Sequence, residues 1–243
     1  MKKINQISPW IDIEERKQLN KVIDNNFLTE NKFTSQFEKN FQNLLENKNL
    51  ISVNNWTSGL FCALKALDIK STDEIIVPNV TFIATANAVL MCGAKVVLCE
   101  VNEIDGCINL EKAEKLINKN TKAIIPVHLY GNCADMDKAL HLKKKYKISI
   151  IEDAAQAILS KYKEKYLGTI GDFGGFSLYG NKLITTGEGG IVISRIKRNI
   201  DKIKLLKNHG RKTKGTFKHE EIGFNFCLTE MQAAIGISQL KKI

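Results

Sequence analysis

Ile148-Ser-Ile-Ile-Glu-Asp153-Ala-Ala-Gln156 is a short apolar, β-branched run that stops on a carboxylate. Such a run, bounded by polar residues, reads as a strand with both faces covered. Similar runs occupy 50–53, 74–77, 95–98, 122–127, 175–178 and 190–194. Between them lie helical patterns over 58–67, 82–92, 110–118, 135–146 and 199–208. Strands alternating with helices predict an α/β fold with a mostly parallel central sheet flanked by helices. The last segment, from Thr229 onward, predicts a further helix with Thr229 as its N-cap. The stretch from Thr81 to Cys99 is almost apolar, but Asn87, Gly93 and Lys95 interrupt it. It predicts a buried helix and then a buried strand, not a membrane span.

A second stretch carries the chemistry: Ser177-Leu-Tyr-Gly-Asn-Lys182-Leu-Ile-Thr-Thr-Gly-Glu-Gly-Gly190. A lysine in a small, polar, glycine-rich turn suits a Schiff-base amine, which needs room to bond an aldehyde and later to move protons as a free base. Asp153, a buried acid at a strand end, is the partner that a pyridinium nitrogen requires. The pair points to pyridoxal 5'-phosphate. Thr57 and Ser58 follow a strand and open a helix, where backbone N–H groups and hydroxyls make an anion site; the bland reading of Thr57 is an N-cap. Gln156, three residues after Asp153, shares its face if that turn is helical.

Composition narrows the classes. With 243 residues and 44% hydrophobic content, the chain can build one large core or two modest ones. The net charge of +10 comes from lysines spread along the chain. No long basic block and no zinc-finger or RNA-recognition motif accompanies it, which argues against nucleic acid. A diffuse positive field also attracts phosphate ligands. The six cysteines form no CxxC pair and no metal spacing, and the four histidines form none either. Met1-Lys-Lys-Ile-Asn-Gln6 has no apolar signal region, so reduced thiols and a cytoplasmic location are expected. Asp172-Phe-Gly174 lacks the kinase context, and Gly187-Glu-Gly-Gly190 lacks dinucleotide spacing.

Several stretches occur in order: Val77-Pro-Asn-Val-Thr-Phe-Ile-Ala-Thr85, Pro126-Val-His-Leu-Tyr-Gly131, Ile151-Glu-Asp-Ala-Ala-Gln156, Gly168-Thr-Ile-Gly-Asp172, the Lys182 segment, Asn208-His-Gly210 and Gly223-Phe-Asn225. From about residue 51 to 241 the chain resembles the DegT/DnrJ/EryC1/StrS sugar aminotransferases. That resemblance implies the fold-type-I large domain over 49–243, after an N-terminal helical segment over 1–48. The family's C-terminal small domain is expected to be largely absent. It implies Lys182 as the lysine that bonds the cofactor and carries protons, with Asp153 on the pyridine nitrogen and Gln156 near the ring or its 3′-oxygen. Thr57, Ser58 and Ser177 are implied at the phosphate and Phe82 against the ring, a core phenylalanine being the alternative for Phe82. Asn225 is implied to reach the phosphate of a neighbouring subunit, so a homodimer is expected.

Two positions depart from the family pattern: Trp56 stands where glycine is usual, and Cys227 where an arginine is common. A bulky indole could crowd the phosphate or force a different turn. A thiol cannot replace a charged planar fork. The resemblance implies transfer of an amino group, with glutamate as donor, to a nucleotide-activated keto-deoxysugar. The wording around Lys182 is similar to members that aminate C4 of 4-keto-6-deoxyhexoses for surface polysaccharides. Dehydratase relatives carry histidine in place of the lysine. The alternative is a cofactor-binding remnant without turnover.

Overall fold

The computed structural model describes residues 8–213 and 215–243; the Met1–Gln6 stretch lies outside the described residues. Among the described residues nine strands form in chain order: β1 Leu50–Val53, β2 Glu74–Pro78, β3 Lys95–Cys99, β4 Thr121–Ile124, β5 Ser149–Asp153, β6 Lys161–Tyr162, β7 Lys165–Tyr166, β8 Phe173–Ser177 and β9 Gly190–Ser194. Eight α-helices accompany them: α1 Ile13–Asp24, α2 Lys32–Leu44, α3 Trp56–Ala66, α4 Ala84–Met91, α5 Leu110–Leu116, α6 Met136–Tyr146, α7 Lys197–Lys207 and α8 Glu230–Gln239.

Seven strands make one sheet in the order β1-β9-β8-β5-β4-β2-β3. All neighbours pair in parallel except at β9, which is antiparallel to β1 and β8. The expected mostly parallel sheet is therefore present. Strand parity splits the core. Ile76, Ile124, Ile150 and Phe176 face a cluster with α2, α5, α6 and α8. Ile75, Val77, Ile151 and Phe173 face another with α3, α4 and α7. Each fully buried aliphatic side chain contributes about 1.5–3 kcal/mol relative to exposure. The same parity sends Glu152 into the first cluster and Asp153 to the other side.

Helix ends follow local chemistry. Thr229 and Gln232 form a reciprocal capping box at α8, as the Thr229 N-cap predicts. Asp135 caps α6, and Asn109 caps α5. The helix predicted over 58–67 begins earlier, at Trp56, because Asn55 supplies the cap through its side-chain oxygen. Glu230 acts at a distance: its carboxylate accepts N–H bonds from Asn31, Phe33 and Thr34 and so caps α2.

Two expectations are corrected. The apolar stretch 81–99 does fold as helix then strand, but only one side of each is buried: Ala88, Val89 and Cys99 are buried, whereas Phe82, Leu90, Met91 and Leu98 are exposed. The reason is position, since β3 is the sheet edge. No helix follows β5 directly; the chain turns after Asp153, with the Ala157 N–H bonded to the Ala154 carbonyl. Among the described residues no helix is long and apolar enough to cross a membrane.

Candidate active site

The carboxyl ends of the parallel strands share one edge of the sheet, where open α/β sheets bind ligands. A cavity of about 590 Å³ opens there, within the range of small-molecule sites. Each wall is a loop leaving a strand. Asn55, Trp56, Thr57 and Ser58 follow β1; Thr81, Phe82 and Ala84 follow β2; Val127 and Leu129 follow β4; Asp153, Ala155 and Gln156 come from the end of β5; Ser177, Tyr179, Asn181 and Lys182 come from the end of β8. Glu188 precedes β9. Seven of the eight predicted site residues line this cavity: Thr57, Ser58, Phe82, Asp153, Gln156, Ser177 and Lys182.

Lys182 sits in a turn closed by its N–H to the Tyr179 carbonyl at 2.9 Å. Threonines brace the segment: Thr185 Oγ1 donates to the Leu178 carbonyl and Thr186 Oγ1 to the Glu188 carbonyl. Burial pushes the Lys182 ammonium below the ordinary lysine value, and the negative charge of Asp153 opposes that shift. A half-buried amine with a lowered proton affinity is what a lysine nucleophile needs.

Asp153 is 4% exposed. Its Oδ1 accepts the Trp56 Nε1–H at 2.7 Å and the Ala155 N–H at 3.2 Å. Its Oδ2 accepts the Thr85 hydroxyl at 2.7 Å. Asp153 thus also caps the turn that follows β5, through the Ala155 N–H. Gln156 does not reach the site on a helical turn; its Oε1 accepts the Tyr130 N–H at 2.8 Å, which ties it to the loop after β4.

Ser58 is more committed than predicted. Its N–H and hydroxyl both donate to Asn55 Oδ1, at 2.9 and 3.1 Å. Asn55, not Thr57, is the N-cap of α3. Phe82 is 73% exposed at the cavity wall, which excludes the core reading. Trp56 forces no new turn: it occupies the first position of α3 and packs inward.

Asn225 is the predicted residue that the structure does not bring to the cavity. It is exposed, because Phe224 and Phe226 on either side pack with Phe61 and turn Asn225 the other way. Cys227 donates to the Lys207 carbonyl at 3.5 Å. His209, with φ of 58°, accepts the His219 Nδ1–H at its carbonyl. Sequence reasoning missed Asn55, Trp56 as a donor, and Thr85. Thr81 and Thr85 lie four apart in the quoted 77–85 stretch, and that spacing was the available signal.

Behind Asp153, the fully buried Glu152 organises two loops. Its carboxylate accepts His128 Nε2 at 3.1 Å and the N–H groups of Gly168, Ile170 and Gly171 at 2.9, 2.6 and 2.7 Å. His128 Nδ1 accepts the Ala134 N–H, so the ring proton sits on Nε2. His128 is structural: both ring nitrogens are spent on Glu152 and the Ala134 N–H.

The donor set fits pyridoxal phosphate. It combines an amine with lowered proton affinity, a buried carboxylate with a free acceptor position, hydroxyls and a helix start on one wall, and a cavity of matching size. Among the described residues no cluster of three or more His, Cys, Asp or Glu could hold a metal ion.

Residues 9–243 match the DegT/DnrJ/EryC1/StrS aminotransferase family. GDP-perosamine synthase of Caulobacter vibrioides is 38% identical over 242 residues, covering 99% of this chain and 65% of that protein. UDP-4-amino-4,6-dideoxy-N-acetyl-beta-L-altrosamine transaminase of Campylobacter jejuni is 39% identical over 238 residues, covering 96% and 63%. Among solved structures, Helicobacter pylori PseC, an aminotransferase involved in the biosynthesis of pseudoaminic acid, superposes with a TM-score of 0.93 at 34% identity, covering 99% of this chain and 66% of that one. The chain therefore spans under two thirds of the length of these relatives.

Proposed function

The chain belongs to the DegT/DnrJ/EryC1/StrS aminotransferase family, and from that premise we propose that it moves an amino group from an amino acid, glutamate, to a nucleotide-activated keto-deoxysugar. The observation that carries the reading is one cavity lined by both Lys182 and Asp153, with the start of α3 on its wall. The acceptor position is C4 of a 4-keto-6-deoxyhexose, consistent with a relative named as a transaminase of a 4-amino-4,6-dideoxy sugar. The product serves surface-polysaccharide synthesis, in line with a 34% identical Bacillus subtilis relative named for spore coat polysaccharide biosynthesis.

Pyridoxal phosphate, when bound, supplies an electron sink for the carbanion next to the transferred nitrogen. The chain's own residues do the rest. Lys182 Nζ would hold the cofactor by its aldehyde carbon, water leaving, and, once displaced by the substrate amine, would take and return the proton at the substrate carbon. Asp153 holds the ring nitrogen in its protonated form. Thr57, Ser58, Ser177 and the first N–H groups of α3 receive the phosphate. Ser58 can do so once its bonds to Asn55 open. Gln156, held by Tyr130, fixes the ring edge. Phe82, exposed at the wall, covers the ring against water. Asn225 lies outside its own cavity, and this supports a homodimer in which it reaches the neighbouring copy's phosphate.

The test is the visible spectrum of the chain with pyridoxal phosphate, before and after glutamate. A visible band that bleaches to the amine form supports the first half-reaction. No band, with Lys182→Ala indistinguishable from wild type, overturns the reading. A band that ignores every amino acid donor favours a cofactor-binding protein without turnover.

A further inference from the structure

Trp56 is buried to 4% exposure, and its surroundings are cut to admit an indole. A Cβ on Gly59 would lie 2.7 Å from Trp56 Cε3, and one on Gly175 would lie 2.3 Å from Cζ3 and 2.6 Å from Cη2, where the backbone carbonyl of Ile191, nearer still, also requires glycine. Neither atom can be present while the indole holds its place. The ring is thereby aimed so that Nε1–H meets Asp153 Oδ1 at 2.7 Å across 97 residues of sequence.

A carboxylate offers about four lone-pair positions. Oδ1 uses two, for Trp56 and Ala155. Oδ2 uses one, for Thr85. Because the Thr85 hydroxyl spends its single proton on Asp153, Thr81 must be the donor in the 2.9 Å contact between the two threonines. One acceptor position is left, on Oδ2. The terminal torsion of an aspartate is broad and nearly two-fold, so donors on both oxygens are what fix its plane.

We propose that Trp56 is a positioning residue: with the Ala155 amide it saturates Oδ1, so that Asp153 presents a single open acceptor on Oδ2 to the ring nitrogen of the cofactor. The proposal rests on the functional reading above. Phenylalanine at 56 keeps a buried ring but removes the donor, so that Oδ1 keeps only the longer Ala155 bond and the carboxylate can turn. The ring nitrogen is then held less firmly in its protonated form. It would withdraw less electron density from the Lys182 nitrogen, which would bind its own proton more tightly.

The experiment titrates the visible absorbance of protein loaded with pyridoxal phosphate, for wild type, Trp56→Phe and Gly59→Ala, and measures the cofactor dissociation constant and the melting temperature of the cofactor-free forms. One hydrogen bond to an ionised group is worth about one to two pKa units. Transmitted through the ring, Trp56→Phe should raise the midpoint by about half a unit, and cofactor binding should weaken about tenfold. Gly59→Ala adds only a methyl that pushes the indole aside, on a helix that otherwise favours alanine, and should move the midpoint the same way by less. If Trp56→Phe does not fold, Gly59→Ala decides. Cofactor uptake by wild type with an unmoved midpoint in the folded variants overturns this inference alone. Failure of wild type to take up cofactor overturns it together with the functional reading.

Discussion

Replacing Glu152 with glutamine should destabilise the chain severely, although it changes one oxygen to nitrogen. The Glu152 carboxylate is completely buried and takes four donors, two on each oxygen: Ile170 and Gly171 on Oε1, His128 and Gly168 on Oε2. An amide keeps one accepting oxygen. Whichever way it is oriented, two of the four donors lose their acceptor and face an N–H₂ group. His128 cannot adapt by changing tautomer, because its Nδ1 is already taken by the Ala134 amide. Each orphaned buried donor costs about 1–3 kcal/mol, so two cost about 2–6 kcal/mol. Removing the buried charge recovers part of its desolvation cost, which places the expectation at about 2–4 kcal/mol. That is a large share of the 5–15 kcal/mol typical of a whole domain. Urea unfolding of cofactor-free wild type and Glu152→Gln, followed by circular dichroism, measures it. A loss below about 1 kcal/mol at unchanged slope would refute the claim that Glu152 is the common acceptor of these loops.

Other perturbations test separate parts of the structure. Gly236→Ala would put a Cβ 2.3 Å from Cε2 of the fully buried Phe37; overpacking of about 1–3 kcal/mol outweighs a helix-propensity gain of about 1 kcal/mol, and a urea midpoint at or above wild type would contradict it. Hydrogen bonds from Lys138, then Lys145, hold the Glu114 carboxyl down at about 2, below its ordinary value of 4.5. A lowered carboxylate contributes stability above the higher value and loses it as pH falls toward the lower. Glu114→Gln should therefore flatten the melting-temperature profile between about pH 4.5 and 2; an unchanged acid limb argues against the pairing. Lys182 runs the other way. Its folded value is lowered, so the unfolded chain binds more protons just below the ordinary lysine value of 10.5 and stability rises with pH there. Cofactor-free Lys182→Met should melt no lower than wild type at neutral pH, and a clear drop would mean that the amine has a structural role.

The local pattern was enough for much of this protein. Short apolar runs marked all seven strands of the main sheet, because a strand covered on both faces is apolar throughout and the edge strand β3 keeps the same composition. Thr229 marked a helix start, because an N-cap needs only its own neighbours. Lys182 and Asp153 were legible because reactive groups set in small-residue or apolar surroundings are unusual within a few residues of chain. Three features required the tertiary structure. The exposure of Leu98 depended on β3 being the sheet edge, a matter of strand order and not of composition. Gln156 was given a helical turn on spacing alone, whereas its partner proved to be the Tyr130 amide, 26 residues away. Trp56 read as an obstruction at a phosphate site; the fold turns the indole inward, over two glycines remote from each other in sequence, onto Asp153. Periodicity and capping are interactions between near neighbours, so they are written in the order of the residues. A hydrogen bond across 97 residues exists only after the sheet has brought β1 and β5 to the same edge.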